Sequence, residues 1–154
     1  MTRAFLPWTR RPAALAALAL VACAHGKAAA PAKPAEPPLY DRIGGRDALL
    51  GLVKDFIEDR VQKDARISPY FAKVDIPGLE HKLVDQLCAA TGGPCTYIGK
   101  DMKAAHAGLG VDATAFDAMV DDFTESLKQF KVGYREQQEL LAMLGAMRSE
   151  IVGR

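Results

Sequence analysis

The chain has 154 residues, of which 49% are hydrophobic, and its 20 basic and 19 acidic residues give a formal net charge of +1. This near balance argues against a nucleic acid as the partner. Once the leading segment is set aside, the length and the apolar content suit one domain with one core.

The first 22 residues have the organisation of a secretory signal. Three arginines and no acid accompany an apolar run, PAALAALALVA at 12–22, which is shorter than the roughly 20 residues that cross a bilayer. The sequence LVAC, ending at Cys23, resembles the lipobox where bacterial lipoproteins are cleaved and lipidated. We therefore expect a signal peptide at 1–22 and a lipid on Cys23. An ordinary secretory signal followed by an unrelated cysteine is the alternative.

Residues 23–38 are rich in proline and alanine and offer almost nothing to bury, which predicts a semi-extended tether. Beyond the signal the chain carries 17 basic and 19 acidic residues, a net charge of −2. Ala24, directly after Cys23, resembles the sorting position of lipoproteins in bacteria with two membranes. We expect a location in the bacterial cell envelope, at the outer membrane and facing the periplasm, with one domain at 39–154.

Four segments of the domain repeat apolar residues at helical spacing. They lie at 46–61, 76–90, 113–130 and 136–152. Asp75 and Asp112 are placed to cap the second and third segments, and Gly92, Gly93 and Pro94 end the second. Since no segment alternates with a period of two, the sequence predicts an all-α domain.

The connections between these segments suggest two helix pairs. The short KVGY turn at 131–134 makes the last two helices antiparallel neighbours. Residues 62–75, between the first two, have room for only a turn or two of helix. Residues 92–111 remain, with a short helical segment at 101–109 that is too small to stand alone. A long loop inside a compact domain usually serves a function.

Several motifs in this order resemble those of one known family. They are LYDRIGG at 39–45, SPYFAKVD at 68–75, GGP followed by Y.G..M...H at 92–106, and LGVDATAFDAMV at 109–120. Over residues 39 to about 152 the chain resembles the truncated haemoglobins of the first group. The resemblance implies a two-over-two globin sandwich that encloses one haem b (iron protoporphyrin IX) between the second helix and the loop carrying His106.

The resemblance makes His106 the proximal ligand of the haem iron, which takes one neutral imidazole on that side. On spacing alone, a single histidine on a frayed turn would be a surface residue. Lys82 is placed to meet a haem propionate, and a solvated lysine is an equal alternative. The side chains placed against the macrocycle, each of which could instead be plain core, are Phe71, Leu79, Leu83, Leu87, Tyr97 and Met102.

The distal side lacks the tyrosine and glutamine that this family often uses as hydrogen-bond donors. Those positions read Ile57, Leu79 and Leu83, so we expect neither tight oxygen storage nor efficient nitric oxide dioxygenation. One extra residue between the first two motifs leaves Glu58 as the other candidate for the tyrosine position, but a half-buried glutamate would be unusual. His81 precedes by one residue the position at which some relatives ligate the iron, so we expect it at the surface.

Two cysteines, Cys88 and Cys95, flank the sequence AATGGP. Outside the cytoplasm they could form a disulfide, and two buried thiols are an equal alternative. A zinc site that combined them with His81 and His106 would lack a recognised spacing. A c-type haem is not indicated because CxxCH is absent.

Three classes of function follow from these features. We favour a lipid-anchored haem globin that reversibly binds a diatomic gas (oxygen, carbon monoxide or nitric oxide) and depends on an unidentified reductase. The second class is a haem enzyme with nitric oxide dioxygenase or weak peroxidase activity. The third is a globin-fold sensor or adaptor that does not use haem. The loop around His106 argues against the third, and the apolar distal side argues against an efficient peroxidase.

Overall fold

The computed structural model describes residues 35–154, and the structural statements below concern this part of the chain. The expected signal peptide at 1–22 and the expected lipidation site, Cys23, lie outside the described residues, as does most of the expected tether at 23–38. Between residues 35 and 154, no helix has the length and apolar character needed to cross a bilayer.

All regular elements of the described residues are helices and none is a strand, which confirms the all-α prediction. Their helices, in chain order, are α1 (Leu39–Arg42), α2 (Gly45–Lys54), a π-helix (Asp55–Val61), a 3₁₀ helix (Ser68–Phe71), α3 (Ile76–Ala90), α4 (Met102–His106), α5 (Ala113–Gln129), α6 (Tyr134–Ala146) and α7 (Arg148–Ile151).

The first predicted helix, at 46–61, is α-helical only as far as Lys54 and then continues as the π-helix. A π-helix bonds each N–H to the carbonyl five residues earlier, so it takes up one more residue than an α-helix does for each turn. At its end the N–H of Gln62 donates to the carbonyl of Ile57 at 3.0 Å. A π-helix in this segment has room for the extra residue noted in the sequence. In the resulting register Ile57 is 1% exposed, whereas the side chain of Glu58 is 45% exposed.

Asp55, the first residue of the π-helix, is held by two partners. The Nε–H of Arg60, five residues later, donates to Asp55 Oδ2 at 3.0 Å. The hydroxyl of Ser126, a fully buried residue of α5, donates to the same oxygen at 2.6 Å. This network fixes the π-helix against α5 at the point where its geometry departs from an α-helix.

The helices pack as two pairs around one core. α2 packs on α3, the π-helix packs on α5, and α5 packs on α6. The rings of Phe56 and Phe123 meet edge to face, with their centroids 5.2 Å apart. All buried apolar side chains of the described residues lie between Leu39 and Ile151. The domain thus has its own complete core, which is the basis for independent folding.

The helix ends agree in part with the sequence. Asp112 caps α5 as predicted, because its Oδ1 accepts from the N–H of Ala115 at 2.7 Å. Asp75 precedes α3 as predicted, but its side chain makes no capping hydrogen bond. Pro77 occupies the second position of α3 and has no N–H to donate, which removes one of the two usual partners. The helix expected at 136–152 is divided at Met147 into α6 and α7.

An ion-pair network ties the start of the domain to α6. Arg42 contacts Glu136 at 2.6 Å and Glu139 at 2.5 Å, and Arg135 contacts Glu36 at 2.5 Å. The hydrogen bond from Arg135 lowers the pKa of Glu36, and the hydrogen bond from Arg42 lowers the pKa of Glu139. Glu36 belongs to the expected tether, so the last residues of that segment lie against the domain.

We expect this network to make the domain less stable in acid. A carboxylate whose pKa is lowered by folding contributes stability above its unfolded pKa, and this contribution is lost as the pH falls through the folded value. The free energy of unfolding in urea, measured between about pH 6 and about pH 3, should fall less steeply in Glu139→Gln than in the wild type. The control Glu150→Gln removes an exposed carboxylate that has no ion pair within residues 35–154. If the free energy of unfolding fell equally steeply with pH in the wild type and in Glu139→Gln, the ion pair of Glu139 would not be a source of the acid sensitivity.

Candidate functional site

His106 ends α4, the short helix that follows the long loop. Asp101 starts this helix, because its Oδ1 accepts from the N–H of Ala104 at 2.7 Å. The Nδ1 of His106 lies 2.8 Å from the carbonyl oxygen of Met102, one turn earlier. A carbonyl can only accept, so Nδ1 carries the proton and, in the neutral ring, Nε2 keeps its lone pair. The half-buried imidazole is therefore oriented and held in the tautomer that a metal ligand requires.

The segment around α4 is fixed from the carboxyl-terminal side of the domain. α4 packs on α7. Beyond α4, the N–H of Gly110 donates to the carbonyl of Arg154 at 2.8 Å, and the N–H of Gly153 donates to the carbonyl of Val111 at 2.9 Å. These contacts hold a helix that is too short to be stable on its own.

α3 presents an apolar stripe that the protein core leaves half-covered. Leu79, Leu83 and Leu87 follow one another at intervals of four residues and are half-buried. Val84 and Cys88 of the same helix are 1% and 0% exposed, so α3 already has a separate face in the core. Three leucines in this state form one wall of a site suited to an apolar ligand.

α3 and α4 approach each other through Gln86. The amide Nε2 of Gln86 lies 3.6 Å from the sulfur of Met102 and 3.8 Å from the sulfur of Met147. Thioether sulfurs are weak acceptors, so these contacts add little stability but show that α3 and α4 are close to each other. They place the half-covered face of α3 and the helix of His106 on the same side of the domain.

The other predicted haem contacts occupy mixed positions. Phe71 is half-buried at the end of the 3₁₀ helix, and Met102 is half-buried one turn before His106. Tyr97 is half-buried, and its hydroxyl donates to the carbonyl of Lys100 at 2.8 Å. This hydrogen bond also stabilises the turn at residues 97–100. Lys82 is exposed. The roles of these side chains toward haem stay predictions.

The predicted distal position is apolar in the structure as well. Ile57 belongs to the buried core, and Leu79 and Leu83 pack against that core. Glu58, the rival for this position, points to solvent and pairs only loosely with Lys54, at 3.9 Å. Ile57, Leu79 and Leu83 have no group that can donate a hydrogen bond to a ligand.

His81 lies at an exposed groove of about 230 Å³ between α2 and α3, beside Leu50, Lys54 and Glu80. Its Nδ1 donates to the carbonyl of Pro77 at 2.7 Å. Burial raises the pKa of Glu80, and the nearby charge of Glu58 adds to this rise. The ring is at the surface, where the sequence predicts it.

Two residues at the site are absent from the sequence-based prediction. Asp101 could have been found, because an aspartate before a short helical run is a standard capping signal. Gln86 gives no such signal, since its contact with Met102 depends on how closely α3 and α4 approach.

Cys88 and Cys95 form a disulfide in the structure, which is one of the two alternatives that the sequence leaves open. The bond ties the end of α3 to the loop that leads to α4. Arg46 lies beside it, with Nη1 at 3.2 Å from the sulfur of Cys95 and 3.0 Å from Asp85. The loop carrying Tyr97 therefore starts from a fixed point.

The double variant Cys88→Ser/Cys95→Ser should lower the free energy of unfolding by about 2 to 3 kcal/mol, the chain-entropy value for so short a loop. Urea unfolding of the domain checks this value, and reduced wild-type protein should behave like the variant. Without reductant, alkylation should leave the mass of the domain unchanged. Modification of both cysteines under that condition would contradict the bond.

Comparison with known families gives a consistent result. The model of the family described as bacterial-like globin matches residues 38–152. The group 1 truncated haemoglobin GlbN of Mycolicibacterium paratuberculosis is 33% identical over 120 residues, which cover 77% of this chain and 88% of that protein. The group 1 truncated haemoglobin GlbN of a Synechocystis species is 34% identical over 112 residues, which cover 70% of this chain and 90% of that protein.

Solved structures resemble this one over the same region. The truncated haemoglobin of Tetrahymena pyriformis in its Fe(III) form has a TM-score of 0.73 at 27% identity, covering 77% of this chain and 100% of that one. The 2/2 haemoglobin of Synechococcus sp. PCC 7002, in the cyanomet state and with covalently attached haem, has a TM-score of 0.71 at 25% identity and the same coverage. The expected two-over-two fold is thereby confirmed, and the chain belongs to the bacterial-like globin family as a group 1 truncated haemoglobin.

Proposed function

We propose that this globin binds one haem b between α3 and α4, with Nε2 of His106 as the proximal ligand of the iron. The observation that carries the proposal is the half-buried imidazole of His106 on α4, the helix that meets α3 through the Gln86–Met102 contact, with its Nδ1 held by the carbonyl of Met102 at 2.8 Å. The exposed His81 makes a similar bond but lies at a separate groove between α2 and α3. The bond of His106 leaves a neutral imidazole with its lone pair on Nε2, the group that globin iron takes on its proximal side. The haem of the Synechococcus relative and the Fe(III) form of the Tetrahymena relative support the choice of cofactor.

The surrounding side chains suit a flat apolar group. The half-buried leucines of α3 supply one wall, and Met102 supplies an apolar contact beside His106. Because none of these side chains is charged, covering them would remove apolar surface from water at no polar cost. Lys82 is exposed, one turn before Gln86 on α3, where an ammonium group could meet a propionate.

The proposed activity is reversible binding of a diatomic gas. Bound ferrous haem supplies an iron that takes oxygen, carbon monoxide or nitric oxide. The contribution of this chain on the distal side is to keep polar donors away, through Ile57, Leu79 and Leu83. Since a distal donor is what slows oxygen release, we propose rapid exchange rather than tight storage, with an unidentified reductase restoring the ferrous state.

Spectra and ligand kinetics of the hemin-loaded domain test this activity. The ferrous protein should be five-coordinate without added ligand, bind carbon monoxide and oxygen reversibly, and release oxygen quickly. A six-coordinate ferrous spectrum would show that a second side chain, such as His81, closes the distal side, and would contradict an open gas site. The distal side also offers no acid–base group for peroxide cleavage, so an efficient peroxidase is not favoured.

We further propose that the globin is a lipoprotein of the cell envelope, held through Cys23 at the outer membrane and facing the periplasm. The support is the arginine-flanked apolar run before LVAC, the alanine after Cys23, and a disulfide that suits an oxidising compartment. The intact mass of the full chain expressed in a bacterium tests this. It should correspond to a protein that begins at a lipidated Cys23, and an unmodified cysteine or a different start would contradict the proposal.

A further inference from the structure

We propose that Cys88 and Cys95 form a thiol-exchange site and that the state of their sulfurs controls how tightly the domain binds haem. A disulfide oxidant closes the bond, and the closed form binds haem tightly. A dithiol opens the bond, and the open form binds haem less tightly. This inference rests on the proposed haem site between α3 and α4 and adds a control to it.

The turn after α3 is built without help from the disulfide and leaves room for it. The N–H of Tyr40 donates to the carbonyl of Thr91 at 2.9 Å. The N–H of Gly93 donates to the carbonyl of Cys88 at 2.8 Å. A Cβ at Gly93 would lie 2.7 Å from the sulfur of Cys88, so glycine at this position leaves space for the bond. Because neither hydrogen bond involves a sulfur atom, the reduced chain can keep this turn, with Cys95 still near Cys88.

Beyond this turn, residues 94–100 depend on the disulfide for their position. In the described part of the chain, they take part in no backbone hydrogen bond and no ion pair. The hydroxyl of Tyr97 bonds within the segment, to the carbonyl of Lys100. Among residues 35–154, the disulfide and the contact of Arg46 with Cys95 are the polar links between the segment and the rest of the domain. Since a segment with so few contacts opens easily, breaking the bond frees it.

A freed segment weakens haem binding, because it carries one predicted haem contact and leads to the proposed iron ligand. Tyr97 lies within it, and the helix of His106 begins soon after it, at Met102. In the closed form the segment is already in place, so haem binding has little left to order. In the open form haem binding has to order the segment again. Fixing the backbone of one residue costs roughly a factor of 5 to 30 in an equilibrium constant.

The two sulfurs have different surroundings, and the difference suits exchange. Cys88 is 0% exposed, whereas Cys95 is half-buried. Nη1 of Arg46 lies 3.2 Å from the sulfur of Cys95, and an ion pair with Asp85 at 3.0 Å holds the guanidinium there. A neighbouring guanidinium favours the thiolate, which is the form that attacks a disulfide. Cys95 is therefore the sulfur that reacts with an external partner, and Cys88 is the sulfur that completes the exchange.

Closure of the bond is a two-electron exchange between two thiols and a disulfide. The thiolate of Cys95 attacks one sulfur of the oxidant, the S–S bond of the oxidant breaks, and its other sulfur leaves as a thiolate. Cys88 then loses its proton and attacks the sulfur of Cys95, which expels the remaining half of the oxidant. The cysteines are oxidised to one disulfide, and the oxidant is reduced to two thiols, which take up the protons that the cysteines release. A dithiol opens the bond by the reverse sequence.

The affinity of residues 35–154 for hemin tests this control. The closed form is loaded with one equivalent of ferric hemin, and a second sample is reduced with tris(2-carboxyethyl)phosphine, which is then removed without air. Transfer of hemin to a competing apoprotein should show an affinity about five- to thirtyfold lower in the reduced form. The variant Cys88→Ser/Cys95→Ser should have the lower affinity with and without the phosphine treatment.

The outcomes of this comparison are distinct. Equal affinities of the closed and reduced wild-type forms would overturn the inference and leave the proposed haem site intact. A response of Cys88→Ser/Cys95→Ser to the phosphine would also overturn it, because the effect would then not come from the bond. If the closed form did not saturate at one equivalent of hemin, the haem site itself would fail, and the control over it would fail with it.

Amide hydrogen exchange of the haem-free domain gives a readout that does not depend on haem. Reduction should speed exchange across residues 94–100 and leave α5 unchanged, because only the first of these segments relies on the bond. Unchanged exchange across residues 94–100 would show that the disulfide does not anchor the segment, and it would overturn the inference.

The variant Arg46→Gln tests which sulfur reacts with the partner. Oxidised glutathione is added to the reduced domain at low salt and pH 7, and bond formation is followed by alkylation and mass. Loss of the guanidinium should slow bond formation by about threefold, because fewer Cys95 sulfurs are thiolates. The closed form of this variant should bind hemin as the wild type does.

The matched control is Arg66→Gln, which removes an exposed arginine that pairs with Asp64 and Asp121. It should form the bond at the wild-type rate, since its partners do not include a sulfur. If Arg46→Gln closed the bond as fast as the wild type, or if Arg66→Gln slowed it equally, the assignment of Cys95 as the reacting sulfur would be wrong.

Discussion

Replacing His106 with glycine should lower the affinity of the domain for hemin by at least about a hundredfold, and imidazole added to the solution should restore much of it. Loss of a side chain that merely orients a metal ligand already costs 10- to 100-fold in metal affinity, and here the ligand itself is removed. Free imidazole can enter the space left by the side chain and supply the missing nitrogen. Hemin transfer to a competing apoprotein, followed in the Soret band, measures the change.

The matched control for this experiment is His81→Gly. His81 also bonds a carbonyl one turn earlier through Nδ1, but it lies at an exposed groove. Its removal should leave hemin affinity and the ferrous spectrum unchanged. If His106→Gly retained hemin as well as the wild type, or if His81→Gly lost it, His106 would not be the proximal ligand.

A tyrosine at position 57 should slow oxygen release by about 10- to 100-fold, the range expected for one new hydrogen bond to a charged acceptor. Ile57 is buried among the apolar side chains proposed to line the distal side, and a phenol there would supply the donor that this chain lacks. Stopped-flow displacement of oxygen by carbon monoxide from the ferrous protein measures the rate.

Two variants isolate the cause of that effect. Ile57→Phe adds the same ring without the hydroxyl, so it reports crowding in the core, which typically costs 1–3 kcal/mol of stability, but offers no hydrogen bond. Glu58→Tyr places the phenol one residue later, on the exposed side of the π-helix, and should release oxygen at the wild-type rate. Slow release from Glu58→Tyr but not from Ile57→Tyr would show that the register set by the π-helix is wrong.

The regular helices could be predicted because their apolar spacing survives into the fold. α3 occupies the predicted 76–90, and α5 ends at Gln129, one residue short of the predicted end. The π-helix could not be identified from the same signal, since seven residues are too few to separate its period from that of an α-helix.

Only part of the candidate site could be predicted from the sequence. Asp101, Met102 and His106 form one local unit, so the geometry of His106 follows from helix spacing. The half-covered state of Leu79, Leu83 and Leu87 does not, because periodicity marks a face as apolar without showing what covers it. The contact of Gln86 with Met102 depends in the same way on tertiary packing.

Titration of residues 35–154 with hemin tests the central claim most directly. If the space between α3 and α4 binds haem through His106, the Soret band should saturate sharply at one equivalent. After reduction it should show a five-coordinate form that shifts on addition of carbon monoxide. A band that rises without saturation, or a ferrous spectrum indifferent to carbon monoxide, would mean that this chain keeps the globin fold without the haem site.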